Sequence, residues 1–393
     1  MKSNKIWTLL LVLAIFQYSC KVNRVSSSKT STEEKDSTEA VIQIPDTLKK
    51  DTVVMVVDTV IEKIAVELPD TIRITAVGDI MMGTNFPDPK YLPPNGGRHL
   101  LDSVSSYLQD SDVTFGNLEG VVLDEGGTPK YCKNPDVCYL FRSPTSYVDH
   151  LKNAGFDVVS IANNHAGDFG DIGRKSTMDN LDSAGIYYAG LLTHPYVTFE
   201  KDSIRYGMIA FAPNTGTVSI NDTDNAIRLV QEVDSLVDIL IISFHGGAEG
   251  KNHRNITRET EYYYGEDRGN VYEFSHTLID HGADLILGHG PHVTRAMEVY
   301  KNRFIAYSLG NFCTYARFNL RGSNGLAPIL KVELSEEGEF YSGEIIPIIQ
   351  VGSGIPIIDS QKRVITEIQE LIGTDFPESI IEVDADGKIR MKN

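Results

Sequence analysis

Residues 159–170 read VSIANNHAGDFG, an apolar run that breaks into Asn163, Asn164 and His165. A packed core disfavours such side chains, and an isolated Asn-Asn-His is most often a polar turn. The same arrangement recurs along this chain, however, because almost every one of its short β-branched runs reaches Gly, Asn, Asp, Glu or His at its end. These runs are TIRITAVGD (71–79), SDVTFGNLE (111–119), FDVVSIANNH (156–165), SIRYGMIAFAP (203–213), VDILIISFHGG (237–247), ADLILGHGPH (283–292) and RFIAYSLGNF (303–312).

The apolar runs alternate with amphipathic stretches such as GRKSTMDNLDSAGI (173–186) and VYEFSHTLIDHGAD (271–284). Strands that are apolar throughout are typical of a sheet buried on both faces, so the pattern predicts an α/β layered domain. In open α/β sheets, ligands bind beyond the carboxyl ends of the strands. We therefore expect the polar strand ends to converge on one site.

The first twenty residues, MKSNKIWTLLLVLAIFQYSC, have the pattern of an export signal. The apolar stretch Ile6–Phe16 is too short to span a bilayer, which needs about 20 apolar residues. Ser19 directly before Cys20 predicts cleavage after residue 19 and lipid attachment to Cys20, although Gln17 replaces the usual Leu. The alternative is a plain signal peptide with a chance cysteine. We predict an extracytoplasmic lipoprotein of the cell envelope, anchored in the membrane.

Residues 20–70 are rich in Ser, Thr, Lys, Glu and Asp, and their early half has too little apolar content to order itself, so we predict a tether. Its later part, TVVMVVDTVIEKIAVEL (52–68), is either a strand or a stiff stalk. The folded domain is expected at 71–393, closing with a helix in SQKRVITEIQELIG (360–373) and a hairpin that turns at Asp386-Gly387. In an exported protein, YCKNPDVCY (131–139) could close a disulfide loop.

The charge balance restricts the partners. The chain has 54 acidic and 36 basic residues, for a formal net charge of -18. Nucleic-acid binding relies on Lys and Arg that neutralise phosphates, which argues against such a partner. The average surface also repels polyanions, so an anion site needs local positive charge, such as a metal.

Taken singly, each polar strand end has an ordinary explanation as a turn, a helix cap or a buried hydrogen-bonded group. Together they supply oxygen and imidazole ligands without thiolates, a set that suits Zn, Mn or Fe. The sequence therefore predicts one or two divalent transition metals. The candidate ligands and neighbours are Asp79, Asn117, Glu119, Asn164, His165, His245, His289 and His292.

Six motifs in order, TAVGDIMMG, FGNLEG, IANNHAGDFG, ISFHGGAEG, LGHGPHV and AYSLGNF, resemble the CapA family, also called PgsA or poly-γ-glutamate synthesis proteins. The resemblance covers about Ile72 to Met391. The family is a branch of the calcineurin-like metallophosphoesterase superfamily. The resemblance therefore implies a four-layered α/β/β/α sandwich.

The resemblance also implies roles for the strand-end residues. The implied metal ligands are Asp79, Asn117 or Glu119, Asn164, His245, His289 and His292. We favour Glu119 over Asn117 as the bridging ligand, because a carboxylate bridges two cations and an amide does so poorly. His165 is implied to protonate the leaving oxygen or to orient the attacking water, a general acid role.

Two departures from the superfamily pattern leave the number of metals open. Met81 stands where the superfamily has a histidine, which removes one ligand. His289 and His292 are three residues apart rather than two, so a turn at Gly290-Pro291 is needed to bring both side chains to the site.

Further residues are candidates for supporting or substrate-binding roles. Asp168 follows the Asn-His motif, where it either helps the site or stabilises a helix N-terminus. Glu249 is expected to orient His245. Arg142 and Arg295 are candidates for holding an anionic substrate, and Asn311 is expected to support the site.

The leading functional hypothesis is a lipid-anchored, metal-dependent, hydrolase-like protein of capsule synthesis or export. Its partners would be the capsule polymer or components of the polymer synthase. One alternative is a non-catalytic assembly or polymer-binding subunit that retains the fold with a degraded centre. Another is an extracytoplasmic phosphoesterase unrelated to capsule.

Overall fold

Strands and helices alternate along the chain as the sequence predicts. The computed structural model describes residues 71–132 and 138–392, all of which belong to one compact unit. The predicted signal peptide, the lipidation site Cys20 and the tether lie outside the described residues. The helices are α1 (Ser105–Leu108), α2 (Tyr147–Ala154), α3 (Gly170–Ala184), α4 (Thr223–Asp234), α5 (Val271–Ile279) and α6 (Arg363–Asp375).

The strands are β1 (Ile72–Met81), β2 (Val113–Leu118), β3 (Val121–Val122), β4 (Arg142–Ser143), β5 (Val158–Ser160), β6 (Tyr187–Ala189), β7 (Tyr196–Lys201), β8 (Ile204–Phe211), β9 (Ile239–His245), β10 (Tyr262–Tyr263), β11 (Glu266–Asp267), β12 (Leu285–His289), β13 (Met297–Tyr300), β14 (Arg303–Ala306), β15 (Asn311–Thr314), β16 (Leu326–Leu334), β17 (Phe340–Val351), β18 (Ile355–Ile358), β19 (Ile381–Val383) and β20 (Lys388–Met391). The longest strands are β17, with 12 residues, and β1, with 10.

Two large sheets form the centre of the domain. The first has ten strands, in the order β19-β20-β17-β16-β1-β2-β5-β6, with β15 beside β1 and β18 beside β17. The second has six, in the order β13-β14-β12-β9-β8-β7. Within each sheet the strands that lead to the candidate site are parallel: β1, β2 and β5 in one, and β9 and β12 in the other. Their carboxyl ends therefore meet at one edge.

The buried residues show how the layers pack. One core cluster joins Ile74 of β1 and Phe115 of β2 to β8, β9 and β12 and to helices α4 and α5. A second cluster lies on the other face of the first sheet and joins Val77 of β1 and Val159 of β5 to Leu151 of α2. The order is helix, sheet, sheet, helix. The four-layered α/β/β/α fold class that the resemblance implied is confirmed.

Strand β1 can approach its neighbours so closely because of Gly78. A Cβ atom at this position would lie 1.9 Å from the carbonyl oxygen of Gly310, which no side chain tolerates. The register between β1 and β2 also shifts between Ala76 and Asp79. This irregularity sets the position of Asp79 at the edge of the sheet.

Three smaller features complete the description of the domain. Cys132 and Cys138 form a disulfide. The closing elements are α6 and the hairpin of β19 and β20 around Gly387, whose φ is 88°. Among the described residues, no helix is both long enough and apolar enough to cross a membrane.

Candidate metal centre

The strand ends bring the predicted residues together at the edge where both sheets end. Asp79 of β1 lies opposite Asn117 of β2 and Asn311 of β15. His245 and His289, the last residues of β9 and β12, lie opposite each other in register. The candidate centre is thus built from both sheets, as the convergence of polar strand ends predicted.

Asp79 is the most highly connected side chain of the centre, and it is fully buried. Its Oδ1 atom accepts a hydrogen bond from Asn117 Nδ2 at 2.8 Å and lies 3.3 Å from His289 Nδ1. Its Oδ2 atom lies 2.8 Å from His292 Nδ1. Burial opposes ionisation, but the hydrogen bonds from His289 and His292 outweigh it and lower the pKa of Asp79. Asp79 is therefore a carboxylate at neutral pH.

Glu119 lies directly beyond β2 and is 1% exposed. Neither of its carboxyl oxygens has a hydrogen-bond partner within the described part of the chain. Its Oε1 atom is 3.7 Å from His165 Nε2 and also 3.7 Å from His292 Nε2. Burial raises the pKa of Glu119 to about 8. Because buried polar atoms are nearly always paired, a carboxyl group of this kind calls for a partner that the described residues do not supply.

Other ligand atoms around Glu119 are also left without partners. Among the described residues, Asn164 Oδ1, His245 Nε2 and His289 Nε2 are buried and lack a hydrogen bond. Glu119, His245 and His292 each offer a ligand atom, and these atoms lie within 4.8 Å of one another. Carboxylate and imidazole donors at this spacing fit a divalent transition metal. The residues present therefore match the chemistry of the predicted metal.

His292 reaches the centre because the turn before it is unusual. Its backbone has a φ of 57°, and Gly290 has a φ of 113°. The turn at Gly290-Pro291 therefore brings the side chains of both His289 and His292 to the centre, although they are three residues apart. Asn311 Nδ2 donates to the carbonyl oxygen of His292 at 3.0 Å, which fixes the turn. Although burial opposes a charge on His292, Glu119 and Asp79 raise its pKa to about 10.

His165 lies beside the centre, with Phe141 packed on its ring at 4.2 Å between ring centroids. Its Nδ1 atom donates to Asp168 Oδ2 at 2.7 Å, which leaves Nε2 facing Glu119. Burial lowers the pKa of His165. Asn163 also takes part: its Oδ1 accepts from the His165 amide and its Nδ2 donates to the carbonyl oxygen of Leu118. The Asn163-Asn164-His165 turn thus lies at the centre, and the hydrogen bonds of Asn163 hold this turn in place.

Arg268 is a residue of the centre that the sequence analysis missed. It is 1% exposed, and its Nη2 atom is 3.5 Å from His245 Nδ1. Burial and then the charge of Arg268 lower the pKa of His245 well below its usual value, so the imidazole is neutral. Nothing in the loop sequence around Arg268 distinguishes it from a surface arginine.

The sequence predicts that Glu249 orients His245 directly, but in the structure Glu249 contacts Arg268 instead. Its Oε1 atom lies 3.4 Å from Arg268 Nη1, so it acts on His245 only through Arg268. Met81, at the position of a superfamily histidine, is fully buried in the core.

The two arginines predicted to hold a substrate have structural partners. Arg295 is fully buried, and its guanidinium pairs with both carboxyl oxygens of Glu261 at 2.7 and 2.8 Å. Arg142 donates to Asn85 Oδ1 and to the carbonyl oxygen of Gly126, and its guanidinium lies over the rings of Phe86 and Phe169. Arg295, which has no exposed surface, is therefore unsuited to contact a substrate, whereas Arg142 is only partly buried and its substrate-binding role stays a prediction.

A cleft of about 900 Å³ opens onto the centre. Asn164, His165 and His292 form its floor, and aromatic side chains form much of its walls. The cationic side chains on the cleft are Lys130, Arg268 and Arg317, and the aromatic ones include Tyr139, Phe141, Tyr263, Tyr264 and Phe318. Arg268 pairs with Glu249 and Glu266, and Lys130 contacts Asp168, so Arg317 is the cation of the cleft that joins Arg142 as a candidate for contacting an anionic substrate.

The chain is similar in sequence to bacterial capsule synthesis proteins. The model of the bacterial capsule synthesis protein family PGA_cap matches residues 73–316, more than half of the chain. The capsule biosynthesis protein CapA of Bacillus anthracis is 28% identical over 343 residues, which cover 82% of this chain and 78% of that protein. The PGA biosynthesis protein CapA of Bacillus subtilis (strain 168) is 30% identical over 259 residues, which cover 62% of this chain and 63% of that protein. Among solved structures, the 5′-nucleotidase precursor of Thermus thermophilus aligns with a TM-score of 0.39 and 12% identity, over 78% of this chain and 59% of that one.

Proposed function

The chain belongs to the bacterial capsule synthesis protein family, and from that premise we propose that it is a metal-dependent, hydrolase-like protein of capsule synthesis or export. The proposed polymer is poly-γ-glutamate, since the motifs resemble the poly-γ-glutamate synthesis proteins and one relative is named a PGA biosynthesis protein. The observation that carries the hydrolase proposal is the set of unpaired, buried ligand atoms around Glu119, with His165 at its side.

We propose that Glu119, His245 and His292, whose ligand atoms lie within 4.8 Å of one another, would hold the metal, and that Asp79, Asn164 and His289 would supply the further ligands. A divalent transition metal at this position supplies Lewis-acid activation of the scissile bond and of the attacking water. The protein's part is to hold the ligands in place. The hydrogen bonds from Asn117 to Asp79 and from Asn311 to the His292 carbonyl do this.

His165 is proposed to move the proton. Because Asp168 accepts the Nδ1 hydrogen, only Nε2 is free to exchange a proton with the leaving oxygen or with water. Nε2 faces Glu119, so the exchange takes place at the metal centre. Phe141 covers the imidazole ring and limits the access of bulk water to it.

The cleft is proposed to hold an anionic substrate. Arg317 lines it beside Lys130 and Arg268, which are paired with carboxylates, so on a protein of formal net charge -18 most of the local positive charge would come from the metal. Without such local charge, a polyanion would be repelled by the average surface. The proposal therefore places substrate recognition in the cleft rather than on the outer surface.

A location in the cell envelope is part of the same proposal. Cys20 would carry the lipid, residues 20–70 would span the distance to the membrane, and the folded domain would meet the capsule polymer or its synthase outside the cytoplasm.

A second candidate function is a non-catalytic assembly or polymer-binding subunit. The observation that favours it is Met81, because a methionine packed in the core removes one ligand position of the superfamily. Such a subunit would keep the fold and the metal shell without turning over a substrate.

The replacement His165→Ala separates the two functions. The wild type and the variant are compared for capsule polymer formation in cells, and as purified full-length proteins for hydrolysis of a generic phosphodiester and of γ-glutamyl oligomers. If the site is catalytic, turnover falls by about 10²–10⁴ while the metal content stays near that of the wild type. His99→Ala, at an exposed histidine paired with Asp102, is the matched control and should behave as wild type. Polymer formation by His165→Ala equal to that of the wild type would contradict catalysis and favour the assembly subunit.

A further inference from the structure

Asp168, the partner of His165, is held by two described residues of one segment, Lys130 and Phe141. The Nζ atom of Lys130 lies 2.5 Å from Asp168 Oδ1, and the Lys130 amide donates to the Asp168 carbonyl oxygen at 2.8 Å. The Phe141 amide donates to Asp168 Oδ2 at 2.7 Å. Side chain and backbone of Asp168 are thus both fixed by this segment.

These contacts use both oxygens of the Asp168 carboxylate. Oδ2 accepts from His165 Nδ1 and from the Phe141 amide, while Oδ1 faces Lys130. A carboxylate with two hydrogen bonds on Oδ2 and an ion-pair contact on Oδ1 is restrained in its rotation, so it presents a fixed acceptor to the imidazole. That acceptor selects the tautomer with hydrogen on Nδ1 and sets the direction of Nε2.

The surroundings of Lys130 allow it to hold the Asp168 carboxylate in place. Asp168 is fully buried, and the Lys130 side chain is one-third exposed on the wall of the cleft. Its Nζ atom also donates to the carbonyl oxygen of Asn164 at 3.1 Å. One ammonium group therefore ties the residue before His165 to the carboxylate that orients His165.

We propose that Lys130 is a positioning residue for His165, and that the disulfide between Cys132 and Cys138 keeps it in position. The inference rests on the proposed function, in which His165 exchanges a proton at the metal centre. It adds a residue from outside the six motifs and gives the disulfide a role in the site.

The disulfide lies between the two contacts in sequence. Cys132 is two residues after Lys130, and Cys138 is three residues before Phe141. Both cysteines pack against a small apolar cluster that contains Phe169, the residue after Asp168. The covalent link therefore fixes the two holders of Asp168 relative to each other.

The first test replaces the ammonium group. In Lys130→Met, kcat should fall by about 10–100-fold, with KM and metal content unchanged, and Lys130→Arg should recover most of the activity. Lys201→Met is the matched control, because Lys201 is 37% exposed and pairs at 3.0 Å with Asp157, which precedes β5 rather than following its carboxyl end. Wild-type kcat in Lys130→Met, or a loss that appears only in KM, would overturn the proposal.

A second measurement does not depend on turnover. In full-length protein labelled with ¹⁵N-histidine, the ring signals of His165, assigned with His165→Ala, report which nitrogen carries hydrogen. We expect one Nδ1–H tautomer in the wild type and in Lys130→Arg, and a mixture in Lys130→Met. A single tautomer in Lys130→Met would overturn the proposal. Absence of turnover in the wild type would count against the proposed function alone, since the tautomer still decides the role of Lys130.

The third test concerns the disulfide. Replacing both cysteines with serine should lower kcat, as Lys130→Met does. If the disulfide acts through Lys130, combining the replacements should lower kcat no further than Lys130→Met alone, because mutations in one network are not additive. Independent, multiplicative losses would show that the disulfide acts elsewhere.

Discussion

The guanidinium of Arg295 and the carboxylate of Glu261 form a buried, two-point ion pair, with Nη2 2.7 Å from Oε2 and Nη1 2.8 Å from Oε1. Arg295 also donates to the carbonyl oxygens of Ala248 and His253. It therefore fastens the loop that follows His245 to the segment that follows His292.

Removing one partner of this pair should be costly. Arg295→Met leaves the Glu261 carboxylate buried without a counterion, and we expect a loss of about 3–5 kcal/mol in the free energy of unfolding. Denaturant unfolding of the variant and the wild type measures it. Arg205→Met is the control: Arg205 pairs with Asp238 at 2.6 Å, but at a more exposed site, so its loss should be only about 0–1 kcal/mol. Equal losses in the two variants would contradict the assignment.

Metal content should depend on the strand-end ligands. Elemental analysis of the purified full-length protein should find zinc, manganese or iron. His289→Ala should lose most of this metal and still unfold cooperatively as a folded protein. The His289 ring packs on Phe115 of the first core cluster, at 5.6 Å between ring centroids, but the rest of both core clusters is built from other side chains. The exposed His99→Ala should keep the metal. A wild-type protein that takes up no transition metal after supplementation would refute the metal centre.

Metal affinity should rise with pH. Burial raises the pKa of Glu119 to about 8, so in the metal-free protein this carboxyl is mostly protonated at pH 7. A ligand must lose its proton to bind, so binding releases that proton, and affinity increases roughly tenfold per pH unit for each proton released until the pH exceeds the pKa. Titration calorimetry in two buffers of different ionisation enthalpy counts the protons. Glu119→Gln should release fewer protons than the wild type, and an affinity that does not change between pH 6 and pH 8 would contradict the prediction.

Membrane attachment should depend on Cys20. The apolar stretch that precedes it and Ser19 before it predict lipid attachment, so Cys20→Ser should move the protein from the membrane to the soluble fraction. Fractionation followed by immunoblotting measures the distribution. A Cys313→Ser variant, at a buried cysteine, is the control that should stay with the membrane. Membrane association of Cys20→Ser equal to that of the wild type would exclude the lipid anchor.

The sequence predicted the strands of the site because the signal is local. A β-branched run that ends in Asp79, His245 or His289 carries both the element and the candidate ligand in a few residues. Periodicity also located α3 and α5. It did not indicate α4, and it did not divide the strands between two sheets, because pairing partners are set by packing between distant segments.

The contributions of Lys130 and Arg268 to the site could not be predicted from the sequence. Both lie in irregular segments, and their contacts are with residues far along the chain: Lys130 with Asp168, and Arg268 with His245. Arg295 was misjudged for the same reason, since its partner Glu261 is brought to it only by folding. Long-range pairing of charges leaves no periodic mark in a sequence.

The close approach at Gly78 has a consequence for saturation mutagenesis. A library screened for capsule formation should reject every side chain at position 78, and position 288 should behave alike, since a Cβ there would lie 2.3 Å from the Tyr307 carbonyl oxygen. Both glycines precede proposed metal ligands, so the loss of capsule formation in their variants could be mistaken for the loss of a catalytic residue. Abundance scored in parallel distinguishes the two: the glycine variants should disappear from the cell, whereas variants of His165 should accumulate as inactive protein.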